Sequence, residues 1–169
     1  NERYVNHRKI ASGGEKTITK TFDLKTGRDV AMAKLKSGMG KANYEAFLSE
    51  ARLTAYLDHP NIISIYDIGL DAERQPFFTM ELKSGEGLDQ LIKKSHAQKS
   101  GLDFNYLLSI YLKICDAMAY AHSLQVLHLD LKPENIQVGH YGEVVLCDWG
   151  LGKIVNSPET GKLSANTSE

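Results

Sequence analysis

The run His128-Leu129-Asp130-Leu131-Lys132-Pro133-Glu134-Asn135 is followed, across a short hairpin, by Asp148-Trp149-Gly150. Upstream, over Leu102–Leu124, apolar residues at 104, 107, 108, 111, 112, 115, 118 and 119 recur at helical spacing and predict a long helix. So broad a stripe needs cover on more than one side. Downstream the pattern predicts a short strand near 136–138, a turn at His140-Tyr141-Gly142, and a strand over Val144–Cys147 that runs into Asp148.

Working back toward the start, residues 4–10 and 17–23 read as extended segments around a Ser12-Gly13-Gly14 turn, and Lys25-Thr26-Gly27-Arg28 turns the chain into Val30-Ala31-Met32. Three antiparallel strands result. From Lys41 to Leu57 there is no Gly or Pro, and Phe47, Ala51, Thr54 and Leu57 recur at helical spacing until Asp58-His59-Pro60 ends the run. Residues 62–66 and 77–82 are strand-like and joined by a turn over 71–76, and Leu88–Lys94 predicts a short helix. Strands first and helices second imply an α+β, two-part architecture.

The chain has 169 residues, with 20 Lys+Arg against 21 Asp+Glu and 42% hydrophobic residues. This suffices for one packed domain and argues against disorder. A net charge of −1 argues against nucleic acid as the main partner. No apolar stretch approaches the roughly 20 residues needed to span a bilayer, and the chain reads as cytoplasmic. Cys115 and Cys147 lie in apolar segments and read as buried reduced thiols, and the six histidines show no metal spacing. The start at Asn1 and the polar run Asn156–Glu169 read as the ends of a fragment.

The stretch from His128 to Asn135 resembles the catalytic loop of eukaryotic-type protein kinases, H-R-D-L-x-x-x-N, and Asp148-Trp149-Gly150 is similar to their D-F-G. The resemblance runs from about residue 3 to 155 and implies the two-lobe kinase fold. Residues 1–82 would form an N-lobe of five antiparallel strands and one helix, and 83–155 the hinge and first part of a truncated, mainly helical C-lobe. Residues 156–169 would begin the activation segment, where Ser157-Pro158-Glu159 reads as loop. The cofactors implied are ATP and Mg²⁺. Asp130 would accept the proton of the substrate hydroxyl, Lys132 would neutralise the γ-phosphate, and Asn135 and Asp148 would hold the metal.

Glu50 lies on the inward side of the first helix and wants a cation. The family pairs this glutamate with a lysine on the third strand, in Val-Ala-Ile-Lys, yet this chain reads Val30-Ala31-Met32-Ala33. Alternation turns Lys34 to the opposite face from Ala33, so Lys34 is a poor substitute. Against G-x-G-x-x-G-x-V the chain reads Ala11-Ser12-Gly13-Gly14-Glu15-Lys16-Thr17-Ile18, with Lys16 at the third glycine position. These paired departures resemble the with-no-lysine kinases, in which a second-strand lysine replaces the missing one. Lys16 is thus the candidate partner of Glu50, while Lys25, Lys34 and Lys36 read as solvated. A P-loop is excluded, because no glycine directly precedes Lys16 and the context is a hairpin.

Around the base the resemblance implies Ile18 and Ala31 as roof, Met80 as gatekeeper, the backbones of Glu81 and Lys83 as hinge, and Gln137 beneath the ring, with Ala11, Gly13 and Gly14 over the phosphates. Leu129 replaces the arginine that many members pair with a phosphorylated activation loop. Lys-Pro-Glu after Asp130 resembles the Ser/Thr group, so the expected partner is a Ser/Thr protein substrate. Two functions stay open: an ATP- and Mg²⁺-dependent Ser/Thr kinase, or a pseudokinase or engineered inactive domain that binds nucleotide or a partner. The apolar side of Leu102–Leu124 is expected to be covered by the missing C-lobe or by a second copy in a dimer.

Overall fold

The computed structural model describes residues 3–98 and 102–155. The expectations for residues 156–169, including Ser157-Pro158-Glu159, lie outside the described residues. The upper lobe is an antiparallel sheet of β1 (Tyr4–Ser12), β2 (Lys16–Asp23), β3 (Arg28–Leu35), β4 (Ile65–Leu70) and β5 (Pro76–Met80), in the order β1-β2-β3-β5-β4. Helix α1 (Lys41–Tyr56) crosses one face. It forms because Phe47, Ala51 and Thr54 share one side, where the two apolar residues join Ala33, Leu35 and Phe78 in a dry cluster. The opposite face of the sheet packs Tyr4, Val30, Met32 and Phe77. Arg3 ties its edges together by donating to Asp23 (2.8 Å) and Asp67 (2.7 Å).

The lower lobe contains β6 (Glu86–Gly87), α2 (Leu88–Gln98), α3 (Phe104–Ser123), β7 (Val126–Leu127), a 3-10 turn at Pro133–Asn135, β8 (Ile136–Val138), β9 (Val144–Leu146) and β10 (Lys153–Ile154). β6, β8 and β9 form a small antiparallel sheet, and β10 pairs with β7. Leu88, Ile110, Ala117, Ala121, Ile136, Val138 and Leu146 fill the core beneath. Each fully buried Ile or Leu there contributes about 1.5–3 kcal/mol. Gly85 precedes β6 with φ +110°, and a Cβ on it would lie 2.1 Å from the Val138 carbonyl oxygen, so no other residue fits this bend.

Several expectations are corrected. Residues 62–64 are not strand: Ile62 makes only an isolated bridge to Leu146, and β4 begins at Ile65. They dock instead on the lower lobe, where the Ile63 amide donates to the Leu146 carbonyl (3.0 Å) and the Leu146 amide to Asn61 (2.8 Å). β5 stops at Met80, short of Leu82, and α2 continues past Lys94 to Gln98. α3 packs through Ile110, Ala117 and Ala121, because the two small alanines let the helix approach β9 and β7 closely. Much of the expected stripe (Phe104, Leu107, Leu108, Tyr111 and Leu112) is exposed, Phe104 by 74%. Cys115 lies on that outer side and is exposed rather than buried. Cys147 is half-buried, and that burial pushes its thiol pKa up to about 12.

Candidate active site

The hairpin between β1 and β2 overhangs the junction of the lobes, and the Gly13–Lys16 turn forms its tip. Below it, Gly13, Gly14, Lys16, Glu50, Asp130 and Asp148 line a cavity of about 330 Å³. β2 and β3 pair with Lys16 opposite Leu35 and Ile18 opposite Ala33, so Lys16, Ile18 and Ala33 share the sheet face that α1 covers. The Lys16 ammonium donates to the Glu50 carboxylate and lies 3.4 Å from Asp148 Oδ1. The side chains of Lys16 and Glu50 are only 26% and 13% exposed. Burial works against the Lys16 charge, but Glu50 and, after it, Asp148 together outweigh this, so the lysine pKa lies above its ordinary value.

Lys34 points away, as strand alternation requires, and pairs with Asp71. Ala33 is fully buried among Leu35, Phe47, Ala51 and Phe78. Apolar side chains therefore surround the position where the family carries its usual lysine.

The catalytic-type loop is held from within. The Asp130 amide donates to His128 Nδ1 (3.2 Å), which leaves Nε2–H to donate to the Cys147 carbonyl (3.1 Å). Both ring nitrogens are satisfied only in the neutral form. Asn135 donates through Nδ2 to the Asp130 carbonyl (2.9 Å) and to its carboxylate (3.0 Å), leaving Oδ1 for another partner. The Cys147 amide donates to the Asn135 carbonyl (2.8 Å), which fixes the origin of Asp148 relative to the loop. Lys132 donates to Asp130 at 2.7 Å, and this bond, ahead of that from Asn135, holds the aspartate below the usual carboxylate range.

Leu129 and Asp148 have φ of +62° and +59°. The left-handed region costs an ordinary L-residue roughly 1–2 kcal/mol, less for Asp, whose short polar side chain can bond locally. At Leu129 the bend sends the side chain to solvent while His128 turns inward against Trp149, with ring centroids 4.5 Å apart. Trp149 is buried and packs the lower core.

Burial lowers the His128 pKa. Because the unfolded chain then binds the proton more readily, stability falls as pH drops through about 6.5, with a slope of at most about 1.4 kcal/mol per pH unit. Denaturant unfolding between pH 8 and 5 should show this dependence, and His128→Gln should flatten it.

Toward the base region, Ala11 pairs with Ile18, and Ala31 with Met80, across the sheet. The Glu81 amide is spent on the Ser64 carbonyl (3.0 Å), whereas the Glu81 carbonyl and the Lys83 amide, like the Leu82 backbone groups between them, have no backbone partner among the described residues. The Lys83 side chain pairs with Glu81 (2.6 Å). Ile136 and Val138 are buried in the lower core, so alternation turns Gln137 the other way. Ile10 and Leu82, which the sequence reading missed, line a second hollow of about 480 Å³ with Lys83. Their signal was position alone: Ile10 immediately precedes Ala11, and Leu82 lies between two hinge residues.

The donor set suits a hard divalent cation. Asn135 Oδ1 and the half-exposed Asp148 carboxylate offer neutral and anionic oxygen, and Mg²⁺ takes few protein oxygens while keeping waters and substrate phosphates. Among the described residues no cluster of three or more His, Cys, Asp or Glu side chains could form a metal cage, and no helix is long and apolar enough to cross a membrane.

A five-stranded lobe with a glutamate-bearing helix, stacked on a helical lobe that presents Asp130, Asn135 and Asp148, defines a protein kinase of the eukaryotic type. The chain belongs to that family: the protein kinase domain model matches residues 4–169. It is 40% identical over 167 residues to the serine/threonine-protein kinase PknD of Protochlamydia amoebophila (strain UWE25), an alignment covering 92% of this chain and 17% of that protein. The PknD proteins of Chlamydia muridarum (strain MoPn / Nigg) and Chlamydia trachomatis serovar D are 35% and 36% identical over 158 residues, covering 88% of this chain. The chain spans about 17% of the length of these curated relatives.

Proposed function

We propose that this domain transfers the γ-phosphoryl group of Mg·ATP to Ser or Thr hydroxyls of a protein, with Lys16 as the cation that the family usually takes from the third strand. The observation that carries this reading is the Lys16 ammonium set between Glu50 and Asp148 at the mouth of the cavity. There it is charged and oriented, and in this reading it meets a nucleotide's inner phosphates. The names of the relatives favour Ser/Thr over other acceptors.

In the transfer, a bond forms between the substrate hydroxyl oxygen and the γ-phosphorus while the bond to the ADP oxygen breaks. Asp130, ionised and oriented by Asn135, accepts the hydroxyl proton, and Lys132 balances charge on the transferring group. Mg²⁺, held by Asn135 and Asp148, would neutralise charge on the phosphates. The base lies against Ile18, Ala31 and Met80, bonds to the backbones of Glu81 and Lys83, and meets Gln137 beneath, with Ala11, Gly13 and Gly14 over the phosphates. In this reading residues 1–82 are the N-lobe, 83–155 the hinge and first part of the C-lobe, and 156–169 the start of the activation segment. In this reading the domain works in the cytoplasm, and a second copy or further C-lobe residues cover the exposed side of α3.

Phosphate incorporation into a generic protein substrate from labelled Mg·ATP tests the reading. Transfer that disappears on chelation of Mg²⁺ is expected. Mg·ATP binding without transfer would favour the pseudokinase reading, for which Ala33 is the supporting observation.

A further inference from the structure

Lys16 is the first residue of β2, so its reach depends on the turn before it. A lysine within β3 would start instead from a strand held on both sides by β2 and β5. The turn contains Gly13 and Gly14, and glycine loses more conformational freedom on ordering than any other residue. Packing does not compensate: a Cβ on Gly14 would meet nothing within 4 Å, and one on Gly13 only the Lys16 carbonyl at 3.9 Å.

Hydrogen bonds hold the turn instead. The Gly13 amide donates to the Lys16 carbonyl (3.0 Å) and the Lys36 amide to the Glu15 carbonyl (2.9 Å). Two side chains add to these backbone bonds. The Lys36 ammonium donates to the Gly13 carbonyl (2.5 Å), and Asn43 Nδ2 donates to the Glu15 carboxylate (3.0 Å). Lys36, expected in solvent from the sequence, thus lies over the turn from just beyond β3. Asn43 sits near the start of α1, the helix that also carries Glu50. The same helix therefore tethers the turn and supplies the partner of Lys16.

We infer that Lys36 and Asn43 are positioning residues, which hold the Gly13–Lys16 turn over the cleft and set the point from which the Lys16 ammonium reaches the nucleotide. The inference rests on the role of Lys16 given under the proposed function. Neither residue touches substrate. Each acts through Lys16, by ordering in advance a lysine whose origin would otherwise swing with two glycines.

The test measures the dissociation constant of Mg·ATP by calorimetry for the full protein, Lys36→Met and Asn43→Ala, each alone and combined with Lys16→Met. Each single change should weaken binding about fivefold, the effect of one ordinary hydrogen bond, and should add nothing once Lys16 is gone. Lys36→Arg should bind like the parent, because a guanidinium can donate to the same carbonyl. Amide exchange at Gly13 without nucleotide should be faster in Lys36→Met. Equal weakening with and without Lys16, no weakening at all, or a Lys36→Arg variant as weak as Lys36→Met would overturn the inference while leaving the kinase reading in place. If the parent binds no Mg·ATP, the kinase reading falls and this inference falls with it.

Discussion

Lys16→Met is expected to lower kcat/KM for phosphoryl transfer by about 10²–10³-fold, the usual cost of removing one well-placed electrostatic group from an active site. Lys34→Met should change it little, because Lys34 lies on the other face of the sheet against Asp71. The contrast is informative because Lys34 adjoins the family position on β3 yet faces away from Glu50, whereas Lys16 reaches Glu50 from the neighbouring strand β2. Lys16→Met also leaves Glu50 enclosed without its cation. The stability loss should stay below the roughly 3–5 kcal/mol of a fully buried pair, since Lys16 keeps 26% of its side chain exposed.

The site also predicts how a rescue should behave. Introducing Ala33→Lys into the Lys16→Met protein restores a lysine at the third-strand position, on the same face as Lys16 and close to α1. Partial recovery of transfer is expected, limited by the strain of placing a long side chain among Phe47, Ala51 and Phe78. If Ala33→Lys alone turned an inactive parent into an active enzyme, Lys16 would not be the working cation, and the relocation would be wrong.

Asp130→Asn should reduce kcat by about 10²–10⁴-fold, the range that a positioned proton acceptor contributes. The affinity for Mg·ATP should change little, because Asn135 and Asp148 carry the metal-binding oxygens in this reading. Single-turnover transfer and calorimetric nucleotide binding, measured side by side, separate the two. A variant that loses nucleotide binding along with transfer would mean that Asp130 organises the loop through Asn135 and Lys132 rather than receiving the proton.

Much of this site was legible before any coordinates. Asp130, Asn135 and Asp148 are local features: an eight-residue loop and a hairpin hold them, and loop chemistry of that kind is written in contiguous residues. Glu50 was legible because a helix repeats every 3.6 residues, so a carboxylate beside Phe47 and Ala51 must face inward. Strand alternation similarly disqualified Lys34. The five-strand lobe followed from turn residues and alternation, although the boundary at Ile62–Ser64 did not, because docking of Asn61 and Ile63 on Leu146 of the other lobe outweighed local strand preference there.

The sequence alone therefore carried the family pattern, the set of reacting oxygens and the absence of the usual lysine, since each depends on residue identity at short spacing. Only the tertiary structure could bring Lys16 to Glu50 and Asp148, because that meeting depends on the register of β2 against β3 and on the stacking of one lobe on the other. The packed face of α3 was decided in the same way. Its apolar residues surround the helix too broadly for periodicity to choose a side, and Ala117 and Ala121 win because small side chains permit the closest approach to β7 and β9. Lys36 and Asn43 belong to this second class as well: nothing in their neighbourhood of the sequence marks them, and their partners lie on a turn that folding alone brings within reach.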